Sequence, residues 1–252
     1  MNIALIGYGK MGKMIEQIAL SQGHAVAAIV DPFVANGIQI AKTIAQADFS
    51  SVDAAIEFTQ PDTAIANILA LAERKIPAVI GTTGWHDRMD EVVRAVEKSG
   101  SSLLWASNFS IGVNMFYRIA WYAAELANNF SEYDAGGFEA HHNKKIDSPS
   151  GTAKVLAEGA LSRLDRKNKI VWETMNRKPE ADELHFPSLR MGSVPGTHSL
   201  FFDSPADTIE ITHTARSREG FASGAVRAAQ WLTSEKRKGI FTIDDMMKDL
   251  FK

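Results

Sequence analysis

The stretch NIALIGYGKMG, residues 2–12, sets the reading of this chain. Its first half is a short apolar run closing on Gly7, the pattern of a strand buried on both faces of a parallel sheet. Its second half puts Gly7, Gly9 and Gly12 in G-x-G-x-x-G spacing. KMIEQIALSQG, residues 13–23, then has helical periodicity and stops at a glycine, and HAVAAIVD, residues 24–31, is a second strand ending on Asp31. Glycine spacing alone is a weak signal. Strand, turn, helix, strand and an acid about 20 residues past the last glycine together make a dinucleotide-binding βαβ unit.

Each part has its own physical task. Gly7 permits the tight turn, Gly9 lets the backbone approach a pyrophosphate, and Gly12 lets the helix pack on the strand. With Tyr8, Lys10 and Met11 they form a candidate phosphate loop, because a helix start offers unpaired N–H groups and the positive end of the helix dipole. Asp31 is placed to accept hydrogen bonds from a ribose diol and repels a 2′-phosphate, so NADH is the preferred coenzyme. Lys10 and Lys13 near the loop keep NADPH as the alternative.

The alternation continues. DAAIEFT (53–59) reads as a strand, PDTAIANILALAERK (61–75) as a helix that Pro61 starts, and PAVIGTTG (77–84) as strand and turn. HDRMDEVVRAVEKSG (86–100) is a helix and SLLWASNFS (102–110) a further strand. Repeated βα units imply a parallel sheet with helices on both faces, whose ligands bind at the carboxyl ends of the strands. Phe58 and Thr59, Gly81, Thr82 and Thr83, and Ser107, Asn108, Phe109 and Ser110 fall there, as candidate coenzyme contacts.

After Ser110 the pattern changes. NMFYRIAWYAAELANNF (114–130) reads as a long apolar helix. Five strand-like runs come next, at 133–142, 169–175, 184–191, 197–204 and 207–215, with one helix from about Thr152 to Leu164. The alternation of Ile209, Ile211 and His213 predicts one buried face. GFASGAVRAAQWLTSE (220–235) is helical again and is expected to pack back on the first half. The expected fold is α/β. Residues 1–109 and 219–252 make a Rossmann-type doubly wound parallel sheet that binds the dinucleotide. Residues 110–218 make a second, α+β domain with a mixed or antiparallel sheet.

Composition bounds the function. The chain has 252 residues, 45% apolar and 23% charged, as in ordinary globular proteins. A net charge of −3 gives no global pull towards nucleic acid or an anionic membrane. The absence of cysteine excludes thiolate catalysis and Cys-based metal sites. No apolar run reaches the roughly 18 residues of a membrane span, and the N-terminus lacks a signal-peptide pattern. A cytoplasmic enzyme is expected.

Within this mildly acidic chain, EAHHNKKIDSPSGTA, residues 139–153, crowds His141, His142, Lys144 and Lys145 ahead of a helix start. A metal site is disfavoured, because lysine rarely ligates and adjacent histidines rarely face one ion. A solvated basic loop is the ordinary use of such a run, and a nucleic-acid patch lacks supporting charge elsewhere. An anion-binding catalytic cluster gains support from the Pro-Ser-Gly-Thr turn at 149–152. Ser150 is a candidate N-cap, so the N–H groups of Gly151 and Thr152 face outward and suit a carboxylate. A histidine of ordinary pKa about 6.5 and a lysine lowered by neighbouring positive charge are then placed to deliver a proton. Beside a coenzyme site, that means reduction of a small anionic substrate.

This stretch resembles the E-x-H-H-x-x-K-x-D-A-P-S-G-T-A signature of the dihydrodipicolinate reductase family of lysine biosynthesis. The resemblance runs through the chain, in the glycine loop, in Phe58-Thr59, in GTTG (81–84), in NFSIGVN (108–114) and in RMGSVPGTH (190–198). Ser148 stands where the family usually has alanine. The glycine loop is one residue shorter than in many members and the stretch after Asp31 is compact, departures that bear on coenzyme preference. The resemblance implies His141 as the catalytic histidine and Lys145 as the proton donor. It implies His142 and the Gly151-Thr152 backbone as substrate-carboxylate contacts, with Lys144 and Ser150 in the same cradle. Residues 7–12, Asp31, 81–83 and 107–110 match the coenzyme side, and Arg218 an arginine that closes over it. It further implies a small dicarboxylate substrate, NADH or NADPH, no metal, no nucleic-acid or membrane partner, and a homotetramer built through the second domain's sheet. The rival readings are another two-domain nicotinamide-dependent dehydrogenase and a non-catalytic NADH-binding sensor.

Overall fold

The structure, a computed structural model, describes residues 1–34 and 40–250. The chain divides into two compact units, residues 1–110 with 219–252, and residues 111–218. In chain order the first unit has β1 (Asn2–Ile6), α1 (Lys10–Ser21), β2 (Ala25–Val30), β3 (Ile40–Ala41), β4 (Ala54–Glu57), α2 (Pro61–Glu73), β5 (Ala78–Ile80), α3 (Met89–Ser99) and β6 (Ser102–Trp105). The second has α4 (Ile111–Ala127), β7 (Asp134–His141), α5 (Gly151–Leu161), β8 (Lys169–Val171), β9 (Glu183–His185), β10 (Ser188–Arg190), β11 (Thr197–Asp203) and β12 (Thr208–Thr214). The chain then re-enters the first unit as α6 (Glu219–Ser234), β13 (Gly239–Thr242) and α7 (Ile243–Leu250).

In the first unit seven strands pair in the order β13-β6-β5-β4-β1-β2-β3, all parallel. Ile3, Ala4, Leu5 and Ile6 of β1 are each at most 1% exposed, which is why this central strand is apolar throughout instead of alternating. The strand order reverses beside β1, so a crevice opens between the carboxyl ends of β1 and β4. Helix α6 returns to this unit on a face of small residues. Ala222, Ala225, Ala228 and Ala229 are fully buried, and the helix packs on α1 and β4. At Gly224 a Cβ would stand 1.7 Å from the Phe109 carbonyl oxygen, so only glycine allows the helix that close.

The second unit is built on a mixed sheet in the order β12-β11-β7-β9-β8, with β10 also pairing with β7. The β11 strand runs antiparallel to β7 and β12, while β9 and β10 run parallel to β7. One core lies between this sheet and α4 with α5, where Leu184, Phe186, Leu200 and Phe202 meet Phe116, Ala120, Leu156 and Ala160. Phe186 and Phe202 are at most 1% exposed, and burial of each stabilises the unit by roughly 1.5–3 kcal/mol.

Several readings need correction. The 184–191 run is two strands, not one, because Pro187 lies between them and has no N–H for a ladder. The alternation in β12 does not bury a whole face: β12 is at the sheet edge and Ile209 is 48% exposed, while Ile211 and the His213 ring, near Phe116, are half-buried against the core. The β3, β13 and α7 elements were not foreseen, since β3 is two residues long and β13 comes after a charged run of four. Helix α5 starts one residue earlier and stops three earlier than expected. Among the described residues no helix is long and apolar enough to cross a membrane.

Candidate active site

The first unit brings the expected coenzyme residues to the carboxyl ends of its strands. Gly7 has φ +92°, and a Cβ there would stand 2.2 Å from the Phe58 carbonyl oxygen across the β1–β4 crevice. A Cβ on Gly12 would stand 2.3 Å from the Gly7 carbonyl oxygen, whereas one on Gly9 would meet nothing within 4 Å. So two glycines serve the fold and the middle one faces open space. Helix α1 has Gly9 as N-cap, no side-chain cap and no acid in its first turn, which leaves its amides and dipole available to an anion.

Asp31 is 9% exposed, and its carboxylate accepts from the backbone N–H of Tyr8 (2.7 Å) and of Phe33 (2.8 Å). It therefore braces the glycine loop. Tyr8 donates its hydroxyl to Glu16, and the Lys13 ammonium lies 5.8 Å from the Tyr8 ring centre. Lys10 is exposed, and Met11 is half-buried. The next loops are tied together. The Thr59 N–H donates to Thr82 Oγ1 (2.7 Å), Trp85 Nε1 donates to the Thr82 carbonyl (2.8 Å), and the Phe58 ring fills the space a Cβ on Gly81 would need. Thr83 is exposed beside them. The Asn108 side chain accepts from the Ser110 N–H (2.9 Å). Ser107 is exposed, while Phe109 is 2% exposed and belongs to the core. Arg218 is the last residue of the second unit and is exposed.

In the second unit the cluster grows from β-sheet register. Glu139 and His141 alternate on β7, so their side chains share a face. Parallel β10 sets Ser188 beside Glu139 and Arg190 beside His141, and antiparallel β11 sets His198 opposite Glu139. Glu139 is fully buried at the centre. Its Oε1 accepts from Ser188 Oγ (2.7 Å), Arg190 Nη2 (2.8 Å) and the Ser150 N–H (3.1 Å). Its Oε2 lies 2.5 Å from His141 Nδ1 and 3.8 Å from His198 Nε2. The His141 contact is a close charge contact out of hydrogen-bond alignment, and neither atom has a hydrogen-bond partner elsewhere.

Ser150 is the N-cap of α5, as expected: its Oγ accepts from the Ala153 N–H (3.1 Å) and shares a hydrogen bond with His198 Nε2 (3.2 Å). Gly151 and Thr152 open the helix, and a Cβ on Gly151 would meet nothing within 4 Å. His142 is half-buried, and Lys144 is exposed. The Lys145 ammonium is held by Asp147 Oδ1 at 2.8 Å. The close neighbour of Lys145 is thus a carboxylate, not the positive charge the sequence reading supposed. Lys145 is matched by Asp147, and Arg190, from outside the stretch, is matched by Glu139. Glu139, His141 and His198 also bring three possible metal-donor atoms within 4.8 Å of one another. The Arg190 guanidinium already pairs with that carboxylate.

Two sequence models match almost the whole chain: dihydrodipicolinate reductase, N-terminus, over residues 1–109, and dihydrodipicolinate reductase, C-terminus, over residues 112–247. The chain belongs to the dihydrodipicolinate reductase family. A 4-hydroxy-tetrahydrodipicolinate reductase from Christiangramia forsetii is 40% identical over 252 residues, the full length of both chains. One from Chromobacterium violaceum is 37% identical, with 98% of each chain covered. A dipicolinate-bound dihydrodipicolinate reductase from Paenisporosarcina sp. TG-14 shares the fold, with a TM-score of 0.77, 19% identity and coverage of 96% of this chain and 97% of that one. A probable dehydrogenase from Thermotoga maritima shares it more distantly, with a TM-score of 0.61, 10% identity and coverage of 97% and 92%.

Five members of this reductase's cluster had no role assigned in the sequence reading: Glu139, Asp147, Ser188, Arg190 and His198. Glu139, Arg190 and His198 sit at the ends of quoted motifs, and the period-2 spacing of Glu139 and His141 was visible. Their meeting depends on strands about 50 residues apart.

Burial of this cluster has a consequence for acid stability. Burial, aided by the neighbouring His141 charge, pushes His198 down to about 4 against the pull of Glu139. Burial alone would raise Glu139, but hydrogen bonds from Ser188, Ser150 and Arg190 with the His141 charge hold it at about 2. A depressed histidine binds fewer protons folded than unfolded. Its contribution is complete above pH 6.5 and is lost as pH falls through about 4, roughly 3 kcal/mol in all. The depressed Glu139 acts next, with stability present above its ordinary 4.5 and lost towards pH 2. The melting temperature should therefore drop steeply from pH 6.5 to 4, and His198→Gln should flatten that slope. Parallel curves for the two proteins would show that His198 carries no such linkage.

Proposed function

We propose that this chain reduces 4-hydroxy-tetrahydrodipicolinate to tetrahydrodipicolinate in lysine and diaminopimelate biosynthesis, with NADH preferred over NADPH, as a cytoplasmic homotetramer. The observation that carries the reading is the capped N-terminus of α5 beside His141 and Lys145, in a chain whose other unit has an uncapped glycine-loop helix. The glycine loop fits a pyrophosphate, since Gly9 leaves open space where the helix amides begin. Asp31 stands where a ribose diol would be held, which favours NADH.

In the proposed chemistry, water leaves the 4-hydroxy substrate to give a conjugated imine. Reduced nicotinamide coenzyme, held by the glycine loop and Asp31, would supply the hydride that ring C4 receives. Lys145 delivers the proton to C3, and His141 holds charge beside it. The Gly151 and Thr152 amides take one substrate carboxylate, with the α5 dipole behind them. His142, Lys144 and Ser150 complete the cradle. The second carboxylate competes with Asp147 for Lys145, so substrate entry releases the ammonium from the pair that holds it. The cluster then stabilises the negative charge that builds on the ring as it is reduced. Arg218 is proposed to close over the coenzyme.

Coenzyme oxidation followed at its near-ultraviolet absorbance, with substrate generated in place by the upstream synthase, tests the reaction. Turnover that needs both substrate and reduced coenzyme is expected, with kcat/KM higher for NADH. No oxidation would remove the reading, and a higher value for NADPH would reverse the coenzyme assignment. Light scattering during gel filtration tests the tetramer.

A further inference from the structure

Glu139 lies outside every role assigned above, yet more of the second unit's polar contacts converge on it than on any of the residues given roles. A buried carboxylate is costly unless hydrogen-bonded and charge-paired. This one has three donors on Oε1, from two elements: Ser150 at the start of α5, and Ser188 and Arg190 on β10. Its Oε2 has no hydrogen-bonded partner and faces His141 Nδ1, which has none either. These two atoms are each other's available partner. The other ring nitrogen of His141 borders Gly196, where a Cβ would stand 2.9 Å from Nε2, so any side chain there would press on the ring.

We infer that Glu139 is a positioning residue for the reduction. Oε1 fixes the start of the substrate-holding helix, while Oε2 fixes the ring of His141 with its proton on Nδ1 and Nε2 turned away from Glu139. One buried group thereby sets the spacing between the carboxylate cradle and the catalytic imidazole. The inference rests on the proposed place of His141 in the reaction. Arg190 has a supporting part. Its Nη2 spans Glu139 Oε1 and the Asp147 carbonyl (2.7 Å), so the brace also reaches the residue that pairs with Lys145. The charged and titratable groups facing His141 are Glu139 on its own strand, Lys145 in the following turn, Arg190 on β10 and His198 on β11. Burial is the largest influence and lowers the His141 pKa. Glu139 is the one of these groups that raises it, and Lys145 and Arg190 lower it.

The test is Glu139→Gln, which keeps the shape and one acceptor but removes the charge, with Glu139→Asp as the conservative variant. Nitrogen-15 NMR of the histidine rings, with His141 assigned by its loss in His141→Asn, reads tautomer and titration without substrate. In the wild type the neutral ring should carry its proton on Nδ1. Glu139→Gln should mix the tautomers, move the His141 midpoint to lower pH and lower kcat by roughly 10- to 100-fold. Glu139→Asp should restore part of each. A lower melting temperature with unchanged tautomer and midpoint would overturn the inference and make Glu139 merely structural. An altered tautomer with unchanged turnover would leave the brace standing and take His141 out of the reaction instead. If Glu139→Gln does not fold, the wild-type spectrum still decides, because a neutral His141 protonated on Nε2 contradicts the brace.

Discussion

Lys145→Ala should lower kcat by roughly 10²–10⁴ while reduced coenzyme binds as in the wild type. Lys145 sits in a turn whose backbone is held by its own N–H donating to the His142 carbonyl (3.1 Å), a bond the substitution keeps. Its side chain contacts Asp147, an exposed acid, and contributes nothing to either apolar core. Truncation thus removes a proton source with little cost to the fold. Stopped-flow measurement of the reductive step, with a coenzyme fluorescence titration beside it, separates the two effects. Near-normal turnover in the variant would rule Lys145 out as the acid, and Lys145→Arg should not rescue it, because a guanidinium does not give up its proton.

The second large effect is expected at Gly151, and there it should fall on KM. A Cβ at this position meets no protein atom within 4 Å, so Gly151→Val should fold normally. What the added atoms would meet is the ligand. Hydrogen bonds to a charged group contribute about 1.5–3 kcal/mol each. Pushing a carboxylate off one of these amides should therefore raise the substrate KM roughly 10- to 100-fold. Gly159, eight residues further along α5, is the control. A Cβ there would stand 2.2 Å from the Trp121 ring, so Gly159→Val should damage folding instead of binding. Unchanged substrate affinity in a folded Gly151→Val would overturn the cradle.

These two glycines show where sequence reading succeeds and where it stops. Gly151 was legible because its role is local: Pro-Ser-Gly-Thr ahead of an apolar-periodic run marks a capped helix start from a few residues alone. Gly159 looks like any helix interior, and only the packing of α4 against α5 shows why nothing larger fits. Asp31 divides the same way. Its place at the end of β2 could be counted from the glycines, whereas its grip on the Tyr8 amide could not.

Sequence alone determined the βαβ order, the glycine loop, the Ser150 cap and the crowding of His141, His142, Lys144 and Lys145, because each depends on neighbours within one or two elements. Tertiary structure alone decided which of those charges are matched. Asp147 holds Lys145, and Glu139 gathers Ser150, Ser188, Arg190, His141 and His198 from a helix start and three strands. Charge can be counted along a chain, but the compensation of Glu139 by Arg190 depends on strand register, and register is set by the pairing of segments far apart in sequence.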